Sequence, residues 1–434
     1  MIVKLRKLLK NIISTPFFGG IFQFVIGIFR FAHFCSCLIF FSLRRFDKKY
    51  INVAFCGPIH SNHFKNFKEY FCFLLKEKYG KNINGIFINS YLNSHTKGMN
   101  FFDPVLDRFS YFFQGNFLSD EHWTKEVYTD ANNPFNFVSK QYINSLLRFA
   151  NPKYIFIHDL QTAGYLLADQ LNDLKKNKTK VVCQAWGNDL RFFHESPKHK
   201  VKLQKILKNT DFLHTETKFE HEIAKRNLFE GKLLEPCSVT FQNLDEFLKI
   251  IGPIKNAEKD IYLNIKSGYK FRQNLYYVYL NFYNNIEFWR NKKIVITNPS
   301  EDDQFMFSKL ISKGFSISYK KGLNFLEFQT LLSRSKYHLS SNLSDGVPNS
   351  IVESVLHGCI PLFTDYTGLC EYLDESTLEK VCYSHLNYNL TEKFEALDKS
   401  NNEKILNLFK HLIKEKVYSK INYQKVISDI IENS

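Results

Sequence analysis

Apolar residues along this chain alternate between two spacings. Short continuous runs such as Ile51–Phe55, which is followed by Gly57, predict strands that are buried on both faces. Between these runs, apolar residues recur every three or four positions, as at Phe64, Phe67 and Phe71, and predict helices with one buried stripe. This alternation of strand and helix is typical of a parallel sheet covered by helices on both faces.

The alternation occurs as two series. The predicted strands of the first series are Ile51–Phe55, Ile83–Ile88, Tyr154–Ile157, Lys180–Gln184 and Asp211–His214. Its predicted helices are 64–75, 136–149, 162–174 and 197–207. Residues 91–133 are irregular and aromatic, and they predict no regular element.

The pattern stops over residues 230–258, which contain Pro236, Gly252 and Pro253, and we place the connection between two domains there. The predicted strands of the second series are Tyr262–Ile265, Lys293–Thr297, Phe315–Ser318, Tyr337–Ser340 and Ile360–Thr364. Its predicted helices are 271–284, 303–312, 325–333 and 349–356, followed by a helical tail over 403–432.

The predicted fold is therefore α/β, with two Rossmann-like doubly wound domains that face each other across a cleft. A length of 434 residues suits two domains of ordinary size. We assign 49–245 to the first domain, 246–400 to the second and 401–434 to C-terminal helices. Ligands of doubly wound sheets bind at the carboxyl ends of the strands, where the strand order reverses, so we expect the site in the cleft.

The first 48 residues form a separate basic and apolar segment. The formal net charge of the chain is +15, and residues 1–50 contain nine Lys or Arg and a single acid. A nucleic-acid-binding protein is expected to carry its basic residues as a stripe on the folded part. Here they flank an apolar stretch, which indicates attachment to an anionic membrane surface and no nucleic-acid partner.

The mode of that attachment stays open. Between Asn11 and Leu43 the only formal charge is Arg30. A secretory signal peptide is disfavoured, because no small-residue cleavage site follows the long apolar stretch. A spanning helix around Ile21–Phe41, an interfacial segment with Arg30 reaching the headgroups, and a helical hairpin packed on the first domain are the alternatives.

Cysteine usage indicates a reducing compartment. The chain has nine Cys, an odd number, and no Cys-x-x-Cys pair. We therefore expect neither a disulfide framework nor a zinc site. Together with the basic apolar segment, this predicts a location at the cytoplasmic face of the cell membrane.

The most informative stretch for chemistry lies between the predicted strand that ends at Ser340 and the one that starts at Ile360. A loop with Asp345 and Gly346 leads into a helix whose first residues include Asn349 and Ser350. Free backbone N–H groups at a helix start hold phosphate groups. Glu353 lies one turn further, and carboxylates accept paired hydrogen bonds from vicinal hydroxyls. Two ordinary helix-terminal acids are the alternative interpretation.

This stretch resembles the acid-x7-acid signature of retaining GT-B glycosyltransferases. The resemblance implies that Asp345, which replaces the more usual Glu, contacts hydroxyls of the donor sugar, and that Glu353 holds the nucleotide ribose. The family also places basic side chains against the donor diphosphate after the first strand of the second domain. Lys266, Lys270 and Arg272 take that place here, although the usual Arg–Lys spacing is absent and a solvated charge run is the alternative.

The first domain offers three weaker points of resemblance. Gly57 and His60 belong to a turn like the one that follows the family's first strand. His158 stands where the family has a strand-end histidine that faces the donor sugar, and a packed histidine is the alternative. Asn188 and Asp189 belong to a Trp-Gly-Asn-Asp string that is similar to the Trp-Gly-Ser-Asp motif of polysaccharide-assembling members, so we include both as possible cleft residues.

The resemblance implies transfer of a sugar, with retention, from a nucleotide-sugar donor to a lipid-linked or glycan acceptor in surface-polysaccharide synthesis. It implies His158, Lys266 and Asp345 as the catalytic set and no dedicated general base, because the leaving phosphate helps to deprotonate the acceptor. It also implies neither a metal nor another cofactor, since the fold usually needs no metal and no Asp-x-Asp between strands suggests one. Two alternatives remain: a sugar-nucleotide epimerase of the same fold, and a non-catalytic nucleotide-sugar-binding partner in a glycan-assembly complex.

Overall fold

A computed structural model describes most of the two domains. The described residues are 50–57, 62–89, 102–103, 108–111, 144, 147–158, 160, 164–191, 193–195, 197–238, 249, 252, 257–267, 274–343, 345–384, 390–400, 402–413, 415 and 420–433. The basic apolar segment 1–48 lies outside them, as do His60, Lys270 and Arg272. In the described part of the chain, no helix is both long and apolar enough to cross a bilayer.

The first domain is built on an eight-stranded sheet. Its strands are β1 (Tyr50–Gly57), β2 (Asn82–Asn89), β3 (Phe102–Asp103), β4 (Arg108–Tyr111), β5 (Tyr154–His158), β6 (Lys180–Gln184), β7 (Phe212–His214) and β8 (Lys232–Leu233). They are ordered β3-β4-β2-β1-β5-β6-β7-β8, and every pair is parallel except β3 with β4. The strand order reverses between β1 and β5, which makes their carboxyl ends a switch point.

Helices cover both faces of this sheet. They are α1 (Asn62–Tyr79), α2 (Tyr165–Leu167), α3 (Leu171–Lys176), α4 (Asn188–Arg191), α5 (Pro197–Lys208) and α6 (Lys218–Arg226), with a 3₁₀ turn at Phe193–Glu195. The continuous helix expected over 162–174 is two short helices instead, because the helical hydrogen-bonding pattern is interrupted by a turn at residues 168–170.

The second domain is built on a six-stranded parallel sheet. Its strands are β9 (Ile261–Lys266), β10 (Ile294–Thr297), β11 (Ile317–Lys320), β12 (Ser335–Ser340), β13 (Ile360–Thr364) and β14 (Cys382–Tyr383). Their order is β11-β10-β9-β12-β13-β14. The switch point lies between β9 and β12, where Lys266 pairs with Ser340.

The helices of the second half of the chain follow the same alternation. They are α7 (Leu275–Asn284), α8 (Ile286–Trp289), α9 (Glu301–Ile311), α10 (Phe325–Arg334), α11 (Asn349–Leu356), α12 (Glu375–Val381), α13 (Leu390–Lys399), α14 (Asn402–Leu412) and α15 (Lys420–Glu432), with a 3₁₀ turn at Gly368–Tyr372. Two of them begin with a capping box, which satisfies two backbone donors at once: Ser300 with Asp303 before α9, and Asn324 with Glu327 before α10.

Several predicted boundaries need correction. Helix α9 starts at Glu301, ahead of Asp303, because the capping box fixes the start at Ser300. Strand β11 covers Ile317–Lys320 in place of 315–318; Phe315 is buried in the core before the strand begins. The short strands β3, β4, β8 and β14 were not predicted, because runs of two to four residues show too little alternation. Strands β3 and β4 lie within residues 91–133, where no regular element was expected.

Each domain has its own apolar core, and α15 belongs to the core of the first domain. Val426, Ile427, Ile430 and Ile431 of α15 are buried against β1 and α1. Lys78 of α1 also donates a hydrogen bond to the backbone carbonyl of Ile431. The chain thus passes from the first domain to the second and returns at α15.

Candidate functional site

The carboxyl end of β9 presents a lysine at the switch point of the second sheet. Lys266 is the last residue of β9 and lies between Thr297 of β10 and Ser340 of β12. Beneath it, the imidazole Nδ1 of His338 lies 3.2 Å from the side-chain amide nitrogen of Asn264. Burial, and then the charge of Lys266, lowers the pKa of His338 to about 3, so this histidine is neutral and Lys266 is the cation of the switch point.

The loop after β12 holds Asp345 close to the first domain. The side-chain amide of Asn342 donates to Oδ2 of Asp345 at 2.6 Å, and the backbone N–H of Gly368 donates to the Asp345 carbonyl at 2.9 Å. Asp345 also forms an isolated parallel bridge with Thr367. These contacts fix both the backbone and the carboxylate of Asp345 just before α11.

The start of α11 has the features of an anion site. Asn349 and Ser350 are its first two residues, and the preceding Pro348 has a φ of −65°. The side chain of Ser350 is 4% exposed, and within the described part of the chain its hydroxyl has no hydrogen-bond partner. The positive end of the α11 dipole and the buried, unpaired hydroxyl of Ser350 suit a phosphate-bearing ligand.

Glu353 lies on α11 within the electrostatic range of Lys266. Oε2 of Glu353 accepts a hydrogen bond from the side-chain amide of Gln329 at 3.1 Å. Burial raises the pKa of Glu353 to about 7, and the Gln329 hydrogen bond and the charge of Lys266 limit that rise. The structure therefore brings Lys266, the α11 start and Glu353 to one edge of the second sheet.

The raised pKa of Glu353 makes a prediction about stability. The native carboxyl binds a proton more tightly than the unfolded chain, so this group's contribution to stability falls as the pH rises from about 4.5 through about 7. We expect Glu353→Gln to raise the free energy of unfolding by about 2–3 kcal/mol at pH 8 and by little at pH 5. Urea unfolding at both pH values measures this; an equal effect at both would contradict the raised pKa.

The first-domain candidates gather at the carboxyl ends of β1 and β5. A Cβ atom on Gly57 would lie 2.4 Å from the carbonyl oxygen of His158, so only glycine fits there. His158 is 1% exposed, with Nδ1 2.6 Å from Oε1 of Gln184 and its ring centroid 5.0 Å from that of Phe67. These contacts of His158 lie within the first domain; none of them joins it to Lys266 or Asp345.

The Trp-Gly-Asn-Asp string joins two loops and touches the second domain. The carboxylate of Asp189 is buried and accepts from the backbone N–H groups of Leu160 and Trp186. Asn188 is the first residue of α4. Gly187 has a φ of +45°, and a Cβ there would lie 2.5 Å from the backbone nitrogen of Gly346. This string therefore packs directly on the loop that carries Asp345.

A group of polar residues at the domain interface was not predicted from the sequence. We call it the interdomain cluster; its members are Arg191, Glu216, Glu220, Glu371 and Tyr372. Arg191 contacts Glu220 at 3.0 Å and the backbone carbonyl of Tyr366 in the second domain at 3.2 Å. Glu371 of the second domain accepts from the backbone N–H groups of Lys218 and Phe219, at the start of α6.

Glu216 connects the interdomain cluster to the Asp345 loop. Its Oε2 accepts from the backbone N–H of Val347 at 3.1 Å, and its carbonyl accepts from the Tyr372 hydroxyl at 2.6 Å. Burial, followed by the nearby charges of Glu220 and Asp345, raises the pKa of Glu216 well above its usual range. Thr217 and Glu220 match a helix-start pattern in the sequence, but the sequence gives no sign of the contact across the interface.

Comparison with known proteins identifies the fold. No protein-family profile matches the chain, and no curated protein matches it. A UDP-forming α,α-trehalose-phosphate synthase from Burkholderia xenovorans is similar in structure, with a TM-score of 0.61 and 11% identity over 89% of this chain and 98% of that one. Anabaena HepE, solved with UDP-glucose, has a TM-score of 0.58 and 7% identity over 89% of this chain and 100% of that one.

An E. coli protein bound with UDP-2-fluoro glucose is similar at a TM-score of 0.55 and 11% identity, over 88% of this chain and 98% of that one. At such low identity these similarities establish the fold alone. The chain thus has the two-domain GT-B arrangement that its motifs implied, with two parallel-sheet α/β domains.

Proposed function

We propose that this protein is a glycosyltransferase that moves a sugar from a nucleotide-sugar donor to a lipid-linked or glycan acceptor at the membrane, with retention of anomeric configuration. The observation that carries the proposal is the arrangement at the second switch point, where Lys266, the start of α11 and Glu353 lie along one edge. A cation and the positive end of a helix dipole suit a diphosphate, and a carboxylate suits ribose hydroxyls.

Each residue has a distinct part in this proposal. Lys266 and the α11 start, with Asn349 and Ser350, neutralise the diphosphate and the charge that develops on it as the sugar leaves. Glu353 accepts from the ribose hydroxyls. Asp345, held by Asn342, accepts from hydroxyls of the donor sugar. The interdomain contacts bring the first domain, which we expect to hold the acceptor, against this loop.

Two similar structures support a uridine nucleotide as the first to test. HepE was solved with UDP-glucose, and the E. coli protein with UDP-2-fluoro glucose. We infer a surface-polysaccharide role and a place at the cytoplasmic face of the membrane from the motif resemblance and from the charge pattern of residues 1–50. We expect activity without a bound metal, which addition of a chelator tests.

Calorimetry on the full chain in detergent tests the donor site. We expect one of UDP, GDP, ADP and CMP to bind selectively, and Lys266→Met to weaken that binding at least about tenfold by removing a charge-assisted contact. Lys208→Met, which removes an exposed lysine on α5, is the matched control and should bind normally.

Binding by none of the four to a folded chain would contradict the proposal. A screen of sugars on the selected nucleotide then separates the alternatives. A transferase forms a new glycoside, an epimerase forms an epimerised donor, and a non-catalytic partner binds without turnover. The anomeric configuration of the glycoside, read by NMR, tests retention.

A further inference from the structure

A buried glutamine connects the proposed ribose carboxylate to a fixed histidine. Gln329 lies on α10, which packs on α11, and its side chain is 0% exposed. Its amide nitrogen donates to Oε2 of Glu353 at 3.1 Å, and its amide oxygen lies 2.8 Å from Nε2 of His357. The Gln329 side chain therefore contacts both His357 and Glu353.

The chemistry of the three groups fixes the direction of both hydrogen bonds. An ionised carboxylate only accepts, so the NH₂ group of Gln329 must face Glu353. The amide oxygen of Gln329 then faces His357, which requires that His357 carry its proton on Nε2. His357 thus donates to Gln329, and Gln329 donates to Glu353. These directions cannot reverse while Glu353 is charged.

His357, the first donor of this hydrogen-bond series, is itself held in place. His357 caps the C-terminus of α11, and its backbone N–H donates to the carbonyls of Glu353 and Ser354. Its own carbonyl accepts from Nζ of Lys259 at 2.9 Å. Gly358, with a φ of +69°, then ends the helix. The position of the His357 ring is thus set by the end of the same helix that carries Glu353.

Glu353 depends on this one donor. In the described part of the chain, Gln329 is the side chain that donates to Glu353, and Lys266 is the charged group that acts on its titration. The site is otherwise desolvated, and burial alone favours the neutral acid. A neutral acid would present a hydroxyl in place of one of the acceptors that a diol needs.

We propose that Gln329 is a positioning residue for nucleotide binding, which orients the Glu353 carboxylate and holds it as a two-oxygen acceptor for the ribose hydroxyls. This inference rests on the proposed donor site and adds a residue from outside the acid motif. His357 acts indirectly on Glu353, because it fixes the orientation of the Gln329 amide.

The test is the pH dependence of nucleotide binding by the full chain, with UDP as the first probe. Gln329→Met keeps the length of the side chain and removes the donor. We expect it to shift the acidic limb of the affinity profile to higher pH by about one unit, since loss of a hydrogen bond to a charged group is a change of that order. Affinity should be about fivefold weaker at pH 7 and close to normal at pH 9.

Two comparisons make the result specific. Ser333→Ala removes a buried polar group on the same helix, whose hydroxyl donates to Thr330, and should leave the pH profile unchanged even if it lowers stability. Gln329→Glu keeps the shape but places a second carboxyl beside Glu353, and should shift the limb at least as far. A uniform loss of affinity in Gln329→Met at every pH would mean a merely structural role and would overturn the proposal.

A second measurement keeps the inference independent of the ligand. The Glu353 side-chain carboxyl signal in ¹³C NMR is assigned by its loss in Glu353→Gln, and its titration is followed in the wild type and in Gln329→Met. A higher midpoint in the variant supports the role of Gln329 even if no nucleotide binds, in which case only the proposed function fails. An unchanged midpoint refutes the role of Gln329 whatever the nucleotide does.

Discussion

Replacing Asp345 by Asn should lower the rate of sugar transfer by about 100-fold while nucleotide affinity changes less than about threefold. The substitution keeps the size of the side chain and removes its charge. Asn342 donates to the Asp345 carboxylate and holds it in one orientation, so the group is organised before the donor arrives. The nucleotide itself is expected to depend on Lys266 and Glu353, which the substitution leaves in place.

Turnover is measured as nucleotide release from the donor that calorimetry selects, and affinity is measured with the nucleotide alone. Asp302→Asn controls for the loss of one acid, at an exposed position on α9. If Asp345→Asn transfers sugar within threefold of the wild type, Asp345 does not contact the reacting sugar. A loss of affinity that matches the loss of turnover would place it on the nucleotide instead.

Gly187→Ala should have the second large effect, although Gly187 lies outside the acid-x7-acid motif. Its new Cβ would lie 2.5 Å from the backbone nitrogen of Gly346, so the Asp345 loop and the first domain could not keep their present contact. A misplacement of about 1 Å in a catalytic arrangement is enough to lower turnover by about 100-fold. We expect that loss in transfer, with a more open shape in small-angle X-ray scattering.

Gly322→Ala provides a matched control for the backbone. Both glycines have a positive φ, +45° at Gly187 and +63° at Gly322, but a Cβ at Gly322 meets nothing within 4 Å. Each alanine costs about 1 kcal/mol from the left-handed conformation alone. The difference between the two variants therefore measures the contact between domains. Equal activities would show that the interface in this structure is not needed for turnover.

The fold was largely predictable because most strands are continuous apolar runs. Strands β5, β6, β12 and β13 agree with their predicted ranges within one or two residues, and their buried faces explain why. Edge elements were harder: β11 alternates in exposure and was placed two residues too early. The two series of strand and helix also predicted the two sheets.

The candidate site was predictable only where it is local in sequence. Asp345 and Glu353 are eight positions apart, so the start of α11 that lies between them is visible in the sequence. Gln329 and Glu216 were missed, because their partners Glu353 and Val347 are 24 and 131 residues away and depend on how helices and domains pack. No periodicity in the sequence encodes such contacts. The predictions for Lys270, Arg272 and His60 lie outside the described residues and stay predictions.

The return of the chain to the first domain has a consequence for biosynthesis. A first domain usually folds while the rest of the chain is still being made. Here the core around β1 and α1 is completed only when residues 426–431 have been synthesised, whereas the core of the second domain is complete at Ile413. The core of the first domain is therefore the last to be completed, although its strands are made first.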